Sequence, residues 1–305
     1  MVYEETMLKV VKQELMEQRF SRKHIDAKIR VAIEANKTMT DRLLKGVDLI
    51  KEYLAGTYYA SKQARLAQLD GLDLNELVMD IFIGVAYSQR PELFTSVTAQ
   101  MASRLKFSDR AEAITTVAEL MAVLCQTDAF DITKEDRMAS LMVVSCIPLP
   151  EELIKYIENS QYLPPMVCEP LPLTHNYSSG YLTHNDSLIL GTGNHHDGDL
   201  CLDVLNTMNR VALKLDLDFL STVEEEPTFD LDTQDKVDQW AQFKEQSYMF
   251  YDLMNQNGNR LYLTHKVDKR GRIYSCGYQI NTQGTSFKKA SLELANEQLI
   301  EGVPT

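Results

Sequence analysis

Asp268-Lys-Arg-Gly-Arg-Ile-Tyr-Ser-Cys-Gly-Tyr-Gln-Ile-Asn-Thr-Gln-Gly-Thr-Ser-Phe-Lys-Lys-Ala-Ser-Leu292 begins with an acid and two arginines that bracket a glycine, and continues as a basic, glycine-punctuated hairpin. A guanidinium is a planar fork suited to phosphate oxygens, and a glycine lets backbone approach a strand closely. Arg270, Gly271, Arg272 and Lys289 are therefore candidate nucleic-acid ligands. Asp268 reads as the partner that orients Arg272, not as a metal ligand. The competing reading is an ordinary basic β-hairpin.

Charge distribution bears on that choice. The 305-residue chain has a formal net charge of −13, and an acidic molecule gains little from counterion release unless its positive charge is concentrated. Here it is concentrated. Residues 1–65 carry 13 Lys/Arg against 9 Asp/Glu, and Arg260 to Lys289 carries seven bases against one acid. Between them, Asp197 to Asp238 holds twelve acids and three bases. A polyanion would meet the two ends and avoid the middle.

Hydrophobic content of 44% and charged content of 25% suit a globular protein with an ample core. No apolar run approaches the roughly 20 residues that span a bilayer, so no membrane association is expected. Cys125, Cys146, Cys168, Cys201 and Cys276 are scattered without a C-x-x-C pair, and read as reduced core residues of a cytosolic protein. His195-His196-Asp197-Gly-Asp199 completes no metal-ligand set and reads as a loop. Gly191-Thr-Gly193 lacks the rest of a dinucleotide fingerprint.

Apolar spacing predicts helices through the first 65 residues, with stripes at Leu8/Val11/Leu15, Ile25/Ile29/Ile33 and Leu43/Val47/Ile50/Leu54, broken at Asn36-Lys-Thr38. Further helices are expected at 74–88, 91–105 and 109–126, the last capped by Asp109. Phe130–Thr133 and Ser140–Ile147 read as a β-hairpin, and Glu151–Asn159 as a short helix. A proline-rich loop follows from Pro164. Leu200–Leu220 reads as an amphipathic helix, then come an acidic loop, a helix around Trp240 to Met254, and a strand-rich end. The predicted class is α+β, mostly α.

Three ordered blocks resemble the single-subunit (phage and mitochondrial) DNA-dependent RNA polymerases. Pro165-Met-Val-Cys-Glu-Pro-Leu-Pro-Leu-Thr174, closed by Gly180-Tyr181, resembles that family's P-M-[V]-x-P-P-x-P-W-T…G-G-Y segment. Leu173 stands at the tryptophan and Ser179 at the first glycine. Leu205-Asn206-Thr-Met-Asn209-Arg-Val-Ala212-Leu-Lys214-Leu-Asp216 is similar to the helix L-N-x-x-Q-N-T-A-W-x-I-N, with two polar substitutions and a second Trp-to-Leu change. Asp268–Arg272 matches the D-x-x-G-R element, and Tyr274, Asn281, Gly284 and Lys289 fall where the family places comparable residues. The resemblance covers residues 165–292.

The resemblance implies an N-terminal helical domain for upstream DNA at 1–163, with a hairpin near 130–147 whose Met138 and Leu141 would wedge into the duplex. It implies a proline-rich segment and connecting helix at 164–216, a reduced thumb at 217–258, and the first strands of a palm at 259–305. The palm aspartates that bind the two metals and the fingers lysine and tyrosine lie downstream in the family, and those blocks are absent here. No catalytic residue and no metal ligand is therefore assigned to this chain, and Mg²⁺ would be bound by a partner. The arrangement looks like the two-subunit polymerase of N-four-type podophages. That implies a catalytic palm-and-fingers partner docked on residues 255–305, contacts with template DNA and nascent RNA, an accessory single-stranded-DNA-binding factor, and residence in the cytoplasm of an infected bacterium. An N-terminal piece of a single-chain polymerase and a non-catalytic DNA-binding or regulatory protein remain the alternatives.

Overall fold

Asn36 is all that separates two helices: it is extended, and its side chain accepts a hydrogen bond from the Met39 backbone N–H at 3.2 Å, the arrangement of an N-cap. The computed structural model in which this is seen describes residues 2–105, 107–134, 140–191 and 193–296. The fold is α+β and mostly α. Two units make up the chain, one formed by Arg22–Glu158 and the other by Met1–Ser21 with Asn159–Thr305.

The helices at the start of the chain are α1 (Val2–Arg19), α2 (Arg22–Ala35), α3 (Lys37–Leu54), α4 (Ala60–Leu66) and α5 (Leu74–Tyr87). A short strand β1 (Glu92–Leu93) precedes α6 (Phe94–Ala102) and α7 (Arg110–Leu124), then come β2 (Phe130–Lys134), β3 (Leu141–Ser145) and α8 (Glu151–Asn159). In the Arg22–Glu158 unit, the predicted stripes of α2 and α3 are buried against the almost wholly apolar α5 and against α7. The helix expected from residue 91 begins only at Phe94, because Glu92 and Leu93 form β1, which pairs with β3 and makes the hairpin a three-stranded sheet of order β1-β3-β2. The hairpin is antiparallel, Phe130 opposite Ser145 and Lys134 opposite Leu141. Leu141 is exposed, and Met138 lies outside the described residues. Asp109 caps α7 as expected, accepting from the N–H groups of Ala111 and Glu112.

One ion cluster in this unit was invisible in sequence. Arg65 is 7% exposed, donates to Thr116 at 2.7 Å, and grips both carboxylate oxygens of Glu119 at 2.8 and 2.9 Å. Tyr53 and Lys62 close on the same carboxylate. A buried guanidinium held this way ties α4 to α7.

The other unit contains α1 and, downstream, α9 (Leu202–Asn209), β4 (Leu213–Leu215), α10 (Leu217–Thr222), α11 (Gln234–Gln256), β5 (His265–Val267), β6 (Ile273–Ser275), α12 (Ser286–Ala290) and β7 (Leu292–Leu294). Here two expectations are corrected. The single helix read over Leu200–Leu220 is broken into α9, β4 and α10, because Leu213-Lys-Leu215 finds a strand partner in β7 and another in Leu261. Asp216 then caps α10 by accepting from the Phe219 N–H at 2.9 Å.

The second correction concerns α1. Leu8, Val11 and Leu15 share a face as read, but that face is exposed. Its opposite face is buried and polar: Gln13 and Glu17 are 1% and 2% exposed, alongside Met16. Buried polar groups persist only where hydrogen bonds replace those lost to water. Gln13 accepts from the Val167 N–H at 2.8 Å, and Glu17 accepts from the N–H groups of Leu182 and Thr183 and from the Thr183 hydroxyl.

Candidate nucleic-acid interface

The three blocks singled out in sequence converge within this unit. Met166 and Tyr262 exchange backbone hydrogen bonds at 2.9 and 2.8 Å, as do Leu213 and Leu261. The Asn206 side chain accepts from the Leu173 N–H at 2.7 Å and donates to the Leu173 carbonyl at 3.0 Å. Asn209, 2% exposed, shares a 2.9 Å hydrogen bond with His265 Nδ1. Asn259 does for the Leu215 backbone what Asn206 does for that of Leu173, with both bonds at 2.9 Å. Blocks separated by tens of residues are therefore joined through polar side chains that read backbone. Burial holds His265 below the ordinary imidazole range, so it is neutral at pH 7.

On this frame stands the β5–β6 ladder. Its register pairs His265 with Ser275, Lys266 with Tyr274 and Val267 with Ile273. The turn closes on Asp268: its N–H donates to the Arg272 carbonyl, and its own carbonyl accepts from the Gly271 N–H, both at 2.9 Å. Gly271 has φ +80, the left-handed region that a side chain disfavours. The Asp268 carboxylate organises the turn. Oδ1 accepts from the N–H groups of Arg270 and Arg272 at 2.9 and 3.0 Å, and Oδ2 accepts from Arg272 Nε at 2.7 Å. The Arg272 backbone N–H, and after it the Arg272 guanidinium, hold this carboxyl below the usual carboxylate range. Arg272 also stands over the Tyr274 ring, 5.6 Å from its centre.

Arg270, Gly271, Arg272, Tyr274 and Asp268 are thus gathered on one turn, and both guanidinium groups retain solvent-facing surface: the side chains of Arg270 and Arg272 are 72% and 55% exposed. Lys289 sits on a different element, the last turn of α12, where it is exposed. Gly284 serves Lys288: a Cβ there would fall 2.7 Å from the Lys288 stem, which crosses it to donate to the Tyr278 carbonyl at 2.7 Å. Burial lowers the Lys288 pKa, while the ammonium lies over the rings of Phe243 and Tyr278. Asn281 and Gln283 fold the loop after β6 back onto its strand, Asn281 reaching the Gly277 carbonyl and Gln283 bonding the Ser275 N–H and the Ile273 carbonyl.

Sequence reasoning passed over Lys266. It precedes the turn on β5, shares its ladder face with Asp268, Arg272 and Tyr274, and is ion-paired with Asp186. Burial opposes ionisation of Asp186, but Lys266 outweighs it and keeps that carboxyl below its ordinary range. The pair borders a hollow of about 530 Å³ lined by Tyr177, Ser187, Asn194 and His195. The signal for Lys266 was its two-residue spacing from Asp268, which means little until the strand is known. Within the loop, His195 touches Ser187 at 3.2 Å and Asp197 at 3.1 Å. Among the described residues no group of three or more His, Cys, Asp or Glu converges on one point. No helix among them is long and apolar enough to cross a membrane.

The aromatic residues of α11 divide by face. Phe250 and Tyr251 are buried in the core with Met254, as their spacing implies, whereas Tyr248 is exposed. Cys276 is half-buried, and burial pushes its thiol up.

No family model matches the chain. Over 151 residues it is 28% identical to a protein of Gelasinospora sp. (strain G114) named probable DNA-directed RNA polymerase, a match that takes in 45% of this chain and 17% of that protein. The chain therefore spans less than a fifth of the length of the curated relative it matches. The finding is a distant RNA-polymerase relationship.

Proposed function

We propose that this chain is one subunit of a phage-type, DNA-dependent RNA polymerase whose palm aspartates and fingers are carried by a second polypeptide. One observation carries the reading: the Asp268 carboxylate holds the backbone of both Arg270 and Arg272 and the Arg272 side chain, so that two guanidinium groups are presented on a tight turn. Such a turn suits phosphate oxygens of a template strand or an RNA–DNA hybrid. The relationship to a protein named as an RNA polymerase supports it.

In this reading residues 259–305 begin the palm, 217–258 form a reduced thumb and 164–216 join them, while 1–163 face upstream DNA. Residues 297–305 lie outside the described residues. Arg270, Arg272, Tyr274 and Lys289 contact nucleic acid, with Asp268 and Gly284 supporting them and Leu141 standing at the upstream hairpin. The partner binds the Mg²⁺ ions, which activate the attacking 3′-hydroxyl and neutralise the leaving pyrophosphate. The partner docks on 255–305, template DNA and nascent RNA pass between the two chains, and a single-stranded-DNA-binding factor assists opening in the bacterial cytoplasm.

Co-expression with a chain bearing the palm aspartates, followed by an assay of primer-independent RNA synthesis with Mg²⁺, tests the proposal. Synthesis is expected from the pair and from neither chain alone. Polymerisation by this chain by itself, or failure of the two to associate, would overturn it.

A further inference from the structure

Besides β6, strand β5 carries a second backbone neighbour. The Leu190 N–H donates to the Val267 carbonyl and the Val267 N–H to the Leu188 carbonyl, both at 2.8 Å, with Ile189 running parallel to Val267. Ile189 and Leu190 form the apolar part of the hollow beside Lys266. Val267 is the residue before Asp268, so the wall of the hollow and the basic turn hang on one strand. Lys266 and Asp268 are about 7 Å apart along it at about 3.3 Å per residue, a distance that one nucleotide spans between its phosphate and its base.

The lining of the hollow selects its occupant. The Lys266 charge is answered by Asp186, so an anion entering there would meet a carboxylate as soon as it met the ammonium. A neutral group with donors and acceptors on its edge meets both favourably, and the Ser187 hydroxyl and His195 imidazole add to that edge. Tyr177 is 50% exposed and stands at right angles to the His195 ring, with centroids 5.5 Å apart. An aromatic side chain so exposed is a surface on which a flat ring can stack. The wall is fixed before any ligand arrives. Asn176, 9% exposed, donates to the carbonyls of His196 and Gly198 at 2.8 and 2.6 Å, and the Asn194 side chain donates to the Leu190 carbonyl at 2.6 Å. A pre-ordered pocket binds without the cost of ordering a loop. Its volume of about 530 Å³ lies in the roughly 300–1,000 Å³ range of small-molecule sites.

We infer that this hollow receives one unpaired base of the template DNA strand whose phosphates lie on Arg270 and Arg272, the base stacking on Tyr177 and its edge meeting the Lys266–Asp186 pair. The inference rests on the nucleic-acid reading proposed above and adds to it a base-holding pocket beside a phosphate-holding turn. Stacking tolerates any base, so the pocket fixes the position of the strand and does not read its sequence.

The test uses the purified full-length chain and an RNA–DNA hybrid with a single-stranded template extension, in which each extension nucleotide in turn is made abasic. The junction sets the register, and an abasic site removes the base while keeping the phosphate. Fluorescence anisotropy is expected to show binding weakened roughly tenfold at one position and little changed at the others. Tyr177→Ala should weaken the intact hybrid by a similar factor and erase the abasic penalty, with no change in the slope of log affinity against log salt. Tyr177→Phe, which keeps the ring, should behave as the wild-type chain. Binding that is indifferent to the abasic site at every position overturns the inference alone. So does a penalty that persists in Tyr177→Ala, or displacement of the hybrid by an equal concentration of free adenosine monophosphate. A chain that binds no hybrid at all overturns the nucleic-acid reading and this inference with it.

Discussion

Asp268 holds Arg272 at two points, its Oδ1 accepting the backbone N–H at 3.0 Å and its Oδ2 accepting Nε at 2.7 Å. A side chain bound only through its tip would swing with the turn, but one whose backbone is bound to the same carboxylate cannot. The acid therefore acts as a positioning residue for the two guanidinium groups.

Replacing Arg272 with Ala is expected to weaken binding of an RNA–DNA hybrid and to reduce the slope of log affinity against log salt by about 1, the value for one lost phosphate contact. Asp268→Ala should weaken binding less while leaving that slope unchanged, because Arg272 remains but is no longer aimed. Fluorescence anisotropy over a salt series distinguishes the two. Equal slopes for Arg272→Ala and the wild-type chain would remove Arg272 from the interface.

Glu17 should be among the most sensitive positions in the first helix although it is an acid. Glu17→Ala removes the acceptor of the part-buried hydrogen bonds from the Leu182 and Thr183 N–H groups, a loss of about 1–3 kcal/mol. Glu17→Gln, which keeps one carbonyl acceptor, should cost less. Hydrogen exchange at the Leu182 and Thr183 amides should quicken in both variants, more in the alanine.

Two glycines near the turn predict costs of different size and cause. A Cβ on Gly271 meets nothing within 4 Å, so Gly271→Ala costs only the left-handed backbone, about 1 kcal/mol. A Cβ on Gly277 would lie 1.8 Å from the Ile280 carbonyl oxygen, and backbone cannot give way as a side chain does. Gly277→Ala should cost about 2 kcal/mol or more and release the loop held by Asn281. Thermal unfolding of the two variants side by side measures the difference.

His265 makes stability pH-dependent. Burial depresses its pKa in the folded chain, so the unfolded chain binds the proton more readily. Its contribution is fully present above the unfolded value near 6.5 and is lost as pH falls through and below that value. The midpoint of thermal unfolding should fall between about pH 7.5 and pH 5.5, and less steeply in His265→Gln. An unchanged slope in that variant would mean that other groups carry the effect.

Helix α8 was legible to the residue, and the stripes of α2 and α3 pointed inward as read. Those signals are local: a helix needs only its own spacing and caps, and an apolar stripe in the middle of a bundle is covered from every side. The Asp268 turn was legible for the same reason, since every hydrogen bond that builds it spans four residues or fewer. Lys266 was missed because its neighbours on the face, Arg272 and Tyr274, lie on the far side of the turn, and its counter-ion Asp186 lies 80 residues away.

The chain's own periodicity and capping residues were enough to determine most helices, the hairpin and the composition of the basic turn. They could not say that Leu213–Leu215 leaves the helical path, because that depends on Leu261 and β7 being there to receive its backbone. Nor could they say which face of α1 turns inward. Burial of Leu8, Val11 and Leu15 is favoured by transfer from water alone, and it lost to the requirement that the N–H groups of Val167, Leu182 and Thr183 find acceptors. That requirement arises only once the distant loops have come together.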